Sequence, residues 1–134
     1  MIRQFGALAY RVDGEEGLQI LLVTSRDTGR WVVPKGNPML HRTGAETAAE
    51  EAFEEAGVRG EIGTSPIGSF RYRKRTRLLL AVTAEVRVFP LRVERLLERW
   101  PEKHQRRRQW FTREDAAGAV AERGLKRLIL DFEP

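Results

Sequence analysis

Apolar and polar residues change rhythm several times along the 134 positions of this chain. Residues 5–12 and 18–24 are dense in apolar and β-branched side chains, and Asp13-Gly14-Glu15-Glu16-Gly17 separates them with turn chemistry. Two strands joined by a tight turn are predicted there. Arg30-Trp31-Val32-Val33 reads as a short strand stopped by Pro34. The loop that follows, Lys35-Gly36-Asn37-Pro38, carries a glycine that lets backbone groups approach a ligand closely.

The rhythm then becomes helical. Thr43 stands three residues before Glu46, the spacing of a capping box, and Gly57 follows Ala56 as a stop, so a helix is predicted over roughly 44–56. Ala45, Ala48, Ala49, Ala52, Phe53 and Ala56 form its core stripe, narrow enough to lie close against a sheet. Arg77 to Val88 is the longest strand candidate and Gln109-Trp110-Phe111 a shorter one. Thr112 opens a second helix with Glu114 and Asp115 in its first turn, and Ala116, Ala119, Val120, Leu125, Leu128 and Ile129 carry its apolar pattern past Gly124. The stretch 91–104 reads either as helix or as irregular loop, ended by Pro101. Strands around one early helix and a closing helix predict a single α/β domain, residues 1–134, built on a layered sheet.

Composition adds a charge to be explained. The chain is 41% hydrophobic and 32% charged, which is enough apolar residue for a packed core. A net charge of +5 points either to an anionic partner or to simple solubility. The absence of cysteine excludes disulfides, thiolate metal sites and a cysteine nucleophile, so any metal must be held by oxygen or nitrogen. Met1-Ile2-Arg3-Gln4-Phe5 runs into mixed sequence without the pattern of a signal peptide, and no apolar run reaches the ~20 residues of a membrane span, so a cytoplasmic protein is expected.

The acid is concentrated. Glu50, Glu51, Glu54 and Glu55 fall within roughly 140° of each other on the predicted helix, opposite its alanine stripe. Like charges at this spacing destabilise one another, and the helix itself contains no Lys or Arg to offset them. Two readings stand side by side: a solvated acidic face, or carboxylates gathered to hold a hard divalent cation such as Mg²⁺.

The segment from Gly36 to Val58 resembles the Nudix box, G-x5-E-x7-R-E-U-x-E-E-x-G-U with U aliphatic. Gly36, Glu51, Ala52, Glu54, Glu55, Gly57 and Val58 match it in register. Outside the box, Trp31-Val32-Val33-Pro34 and Arg107-Arg108-Gln109-Trp110-Phe111, leading to Glu114-Asp115-Ala116, are similar to diphosphoinositol and diadenosine polyphosphate phosphohydrolases. Two positions depart from the box: Arg42 replaces its first Glu, and Glu50 replaces its Arg. The pair is a charge exchange, and Arg42 is expected to reach back to Glu50 or its neighbours as a supporting ion pair.

What this resemblance implies is a Nudix-type α/β/α sandwich with a mixed central sheet. It also implies Mg²⁺, or Mn²⁺, as cofactor and water attack on a phosphoanhydride of a small, highly anionic substrate. That substrate would be a diadenosine polyphosphate or a diphosphoinositol polyphosphate. By position, Gly36, Glu51, Glu54 and Glu55 are the implied metal ligands, with Glu54 and Glu51 the catalytic candidates. Glu85 or Glu102 would add a carboxylate from outside the box. Arg30, Lys35, Arg71, Arg73, Arg75 and Arg77 are the expected phosphate-binding cations, the last four along one side of a strand by alternation. Lys103, His104, Arg106, Arg107 and Arg108 form a second basic cluster, while His41 and His104 read as surface residues and Trp31, Trp110 and Phe111 as core. The competing functions are hydrolysis of nucleoside triphosphates or RNA 5′-pyrophosphates, and a catalytically weakened module that only binds polyphosphate or nucleic acid. No membrane partner is implied.

Overall fold

A computed structural model describes residues 1–78 and 80–134. In chain order the elements are β1 (Ile2–Asp13), β2 (Gly17–Thr24), β3 (Trp31–Val32), β4 (Lys35–Gly36), α1 (Gly44–Ala56), β5 (Val58–Ile62), β6 (Gly68–Arg75), β7 (Ala81–Leu96), β8 (Arg108–Thr112), α2 (Arg113–Ala119) and α3 (Arg123–Asp131). The strands run β3-β2-β1-β7-β5, with β4 paired to β1, β6 to β7 and β8 to β2. β1 and β7 are parallel, from Ile2↔Ala84 to Tyr10↔Arg92, and the other pairings are antiparallel. The sheet is therefore mixed.

Alternation along β1 divides the core between two faces. Ala7 and Ala9 point to one side, where Leu21, Val23, Phe89 and Leu91 meet the α1 residues Ala45, Ala48, Ala52 and Ala56. Leu8 points to the other, where Ile20, Leu22, Val86 and Val88 meet Leu125 and Ile129 of α3. Helices thus cover both faces of the sheet, as an α/β/α sandwich. Small side chains on both β1 and α1 let the helix lie close: at Gly44 a side chain would strike the Phe5 ring.

The start of α1 follows the predicted chemistry. Thr43 accepts from the Glu46 backbone at 3.1 Å, and the Glu46 carboxylate accepts from the Thr43 N–H at 2.8 Å. Gly57 closes the helix in the left-handed conformation, φ +66, with its N–H bonded to Phe53. Two members of the predicted stripe are only half-buried, Ala49 and Phe53, and the Arg59 guanidinium lies 3.8 Å over the Phe53 ring. Glu55, assigned by spacing to the outer face, is instead buried.

Three other expectations change. The long strand begins at Ala81 rather than Arg77 and continues to Leu96, taking in part of the ambiguous stretch; Leu79, included in the prediction, lies outside the described residues. Pro90 interrupts the strand signal, yet the strand runs through it because β1 and β5 pair on either side, and the Pro90 carbonyl accepts from Gly63 at 2.8 Å. Lys35 and Gly36 are a short strand, held against Gly6 and Phe5. The closing helix is two helices, because Val120 leaves α2 in extended conformation and bridges to Trp31.

Candidate active site

The last turns of α1 meet β4 and the segment 97–107 around one cleft of about 660 Å³, which Gly36, Glu51, Glu54, Glu55, Glu102 and Arg106 help to line. Backbone bonds set this junction. Pro34 accepts from Ala7 at 3.0 Å and fixes β4, while the Glu102 N–H donates to the Glu54 carbonyl at 3.0 Å and fixes the loop to the helix. The open carbonyls at the end of α1 are covered by side chains: Trp100 Nε1 donates to Glu55 at 3.1 Å, and Arg108 donates to Ala56 at 2.8 Å and to Leu97 at 2.7 Å. The helix end that carries the glutamates is thereby held from three directions.

The carboxylates themselves are crowded and short of positive charge. Burial pushes the Glu55 carboxyl up to about 8, reinforced by its hydrogen bond with Glu51 and opposed by Arg106. Glu51 is also raised, first by burial. Burial raises Glu54 too, followed by the charges of Glu50 and Glu102. Arg106, nearly buried, is the cation among them: Nε donates to Glu102 at 2.8 Å, Nη1 to the Thr24 carbonyl at 3.0 Å, and Nη2 lies 3.7 Å from Glu55. Lys35 is desolvated and held below its ordinary pKa by burial, against the pull of Glu55 and Glu122.

This donor set fits a hard divalent cation. Burial raises both Glu51 and Glu55 where a metal would supply charge, and a Cβ at Gly36 would collide with the Glu51 carboxylate, so glycine lets that carboxylate lie against the β4 backbone. Among the described residues no three carboxylates or imidazoles already form a closed metal cage. Mg²⁺ does not need one, since it keeps several waters and takes phosphate oxygens as ligands.

A family model described as the NUDIX domain matches residues 2–132. The chain belongs to this family. Among Nudix relatives it is 32% identical over 124 residues to Nudix hydrolase 12, mitochondrial, of Arabidopsis thaliana, covering 90% of this chain and 61% of that one. It is 32% identical over 117 residues to diphosphoinositol polyphosphate phosphohydrolase 3-beta of Bos taurus, covering 85% and 66%. The chain thus spans about six-tenths of the length of the first of these curated relatives. The fold is that of a Caenorhabditis elegans Ap4A hydrolase, seen in a binary complex, at TM-score 0.70 and 17% identity over 97% of this chain and 93% of that one.

The structure brings together the Nudix-box residues Gly36, Glu51, Glu54 and Glu55 at one end of the cleft, with Arg30, Lys35, Arg73 and Arg75 also lining it. Arg71 and Arg77 are not among the lining residues. Arg71 points across β6–β7 to Glu85 at 3.4 Å, and Arg77 lies in the turn beyond β6, so strand alternation does not extend to it. That pairing also leaves Glu85 outside the cleft, whereas Glu102 lines it. The exchanged pair meets, Arg42 Nη1 lying 3.5 Å from Glu50 Oε2.

The second basic cluster serves mainly to hold the site's walls. Arg108 covers the end of α1, Arg107 donates through its backbone to Thr24 Oγ1 at 2.9 Å, and Arg106 grips the carboxylates. Sequence reasoning missed Gln4, Asn37 and Glu122 in the cleft lining, where Tyr72 also stands. Gln4 links two of them, accepting from the Tyr72 hydroxyl at 2.6 Å and donating to Asn37 at 3.0 Å. A buried Gln opening a strand before an Asn in a loop carries no signal beyond ordinary polar surface.

Proposed function

We propose that this Nudix domain is a Mg²⁺-dependent pyrophosphohydrolase that cleaves a phosphoanhydride bond in a small, highly anionic substrate. The observation that carries this reading is the meeting of Glu51, Glu54, Glu55 and Gly36 at one end of a cleft whose remaining lining is rich in Arg and Lys. Cleaving a phosphoanhydride requires neutralising the phosphate oxygens, placing a water in line and stabilising the leaving phosphate. When bound, Mg²⁺ supplies the first of these and lowers the pKa of water.

The chain's own residues supply the rest. Glu51 and Glu55, with the Gly36 carbonyl, are the proposed ligands. Glu54, less buried than Glu55 and linked through its backbone to the Glu102 loop, is the proposed acceptor of the attacking water's proton, with Glu51 the alternative. The raised pKa of Glu54 brings it closer to the working range of a general base. Arg30, Lys35, Arg73 and Arg75 are the proposed grip on phosphates beyond the scissile pair.

The substrates proposed are diadenosine polyphosphates or diphosphoinositol polyphosphates. A panel of both, with nucleoside triphosphates and 5′-triphosphate RNA, tests this by identifying the products formed with Mg²⁺ or Mn²⁺. Turnover is expected with one of the first two classes. Preference for triphosphates would move the substrate assignment, and no turnover of any member would overturn the enzyme reading.

A further inference from the structure

Gln4 is buried, 3% exposed, on the same face of β1 as the core residue Leu8. A buried amide needs its hydrogen bonds met, and Gln4 meets them at both ends. Tyr72 stands on β6, and its hydroxyl reaches past β7 to donate to Gln4 Oε1 at 2.6 Å. Gln4 Nε2 in turn donates to Asn37 Oδ1, just beyond β4, at 3.0 Å.

This chain of bonds has a direction. With the Gln4 carbonyl taken by Tyr72, only its N–H groups face Asn37, and the Asn37 side chain meets them with its oxygen. The Asn37 amide nitrogen, which carries two N–H donors, is left without a partner among the described residues, and Asn37 is exposed and lines the cleft. The cleft is thereby offered a donor at this position rather than an acceptor.

The surroundings give that donor a use. Asn37 directly follows Gly36, which lies against the Glu51 carboxylate. Carboxylates repel a phosphate, and the cations beside them are already drawn to them. Arg106 is bonded to Glu102 and to the Thr24 carbonyl and lies 3.7 Å from Glu55, and Lys35 faces both Glu55 and Glu122. The Asn37 amide is bonded to none of these groups, and an ionised oxygen is the acceptor that makes its hydrogen bond strong. Because Gln4 already holds the amide in place, little reorientation is needed when a ligand arrives. We infer that Asn37 is a substrate-binding residue whose amide N–H donates to a phosphate oxygen beside the Gly36 carbonyl, and that Gln4 and Tyr72 are positioning residues acting through it. The inference rests on the pyrophosphohydrolase reading of this cleft.

Calorimetric titration tests it without requiring turnover. Methylenediphosphonate in saturating Mg²⁺, and Mg²⁺ alone, are titrated into the wild type, Asn37→Ala, Gln4→Met, Tyr72→Phe and the two double variants that combine Asn37→Ala with each of the others. Asn37→Ala is expected to weaken methylenediphosphonate about tenfold or more and to leave the affinity for Mg²⁺ alone unchanged. Gln4→Met and Tyr72→Phe weaken methylenediphosphonate less, and neither adds a loss once Asn37 is alanine. Tyr72→Phe removes a single oxygen, so its cycle decides the matter even where Gln4→Met does not fold. Wild-type affinity in Asn37→Ala, an equal fall in the affinity for Mg²⁺ alone, or a full further loss from Tyr72→Phe in the Asn37→Ala background would each overturn the inference alone. If the wild type does not bind methylenediphosphonate with Mg²⁺, the pyrophosphohydrolase reading fails and the inference falls with it.

Discussion

Glu55 is an acid buried beside other acids, and burial holds its carboxyl well above the usual carboxylate range. The folded protein holds the Glu55 proton to about pH 8, whereas the unfolded chain releases it near 4.5. Between these values the folded state binds more protons than the unfolded state, so stability falls as pH rises. Thermal unfolding in a chelator is therefore expected to show a midpoint that declines from about pH 5 to about pH 8 in the wild type, with the decline reduced in Glu55→Gln. A decline of the same size in Glu55→Gln would place the titrating group elsewhere. Cation binding, which requires the carboxylates ionised, should strengthen over the same window. None of this is visible in residue spacing, which sets Glu55 among outward-facing glutamates. Burial by the segment 97–107, folded back over the end of α1 by Trp100 and Arg108, is a long-range event.

At the scale of elements, local chemistry was legible and pairing was not. The capping box at Thr43 and Glu46 and the left-handed Gly57 bound α1 as predicted, because both act within a turn of backbone. β7 was misjudged at both ends, because its limits are set by β1, β5 and β6 rather than by its own alternation. The break between α2 and α3 follows from a bridge to Trp31, distant in sequence, and that break creates the position of Glu122. The contact between the loop before α1 and the helix itself is open to a thermodynamic cycle. Arg42 and Glu50 are 3.5 Å apart and partly exposed, so each single reversal, Arg42→Glu or Glu50→Arg, should cost up to about 1 kcal/mol in denaturant unfolding. The double variant should recover most of it. A double variant no better than the sum of the two would show that the pair is not coupled.

Over the whole molecule, the net charge of +5 conceals a separation. Acid is gathered on the last turns of α1, while cations from β4, β6 and the segment 26–30 line the same cleft. The box motif made the acidic half legible. Of the six cations expected to bind phosphate, Arg30, Lys35, Arg73 and Arg75 line the cleft, while Arg71 is paired with Glu85 within the sheet and Arg77 lies in the turn beyond β6; Arg108, from the second basic cluster, is committed to the end of α1. A site made of charges in these positions should depend on a divalent cation for its chemistry, because the carboxylates otherwise repel the phosphates they face. The most direct test is phosphate release from the best substrate of the panel, measured against Mg²⁺ concentration for the wild type and Glu54→Gln. The account predicts no turnover in chelator, saturable activation by Mg²⁺, and a loss of roughly 10²–10⁴-fold in kcat for Glu54→Gln with an unchanged unfolding midpoint. Turnover that persists in chelator, or that survives undiminished in Glu54→Gln, would contradict it.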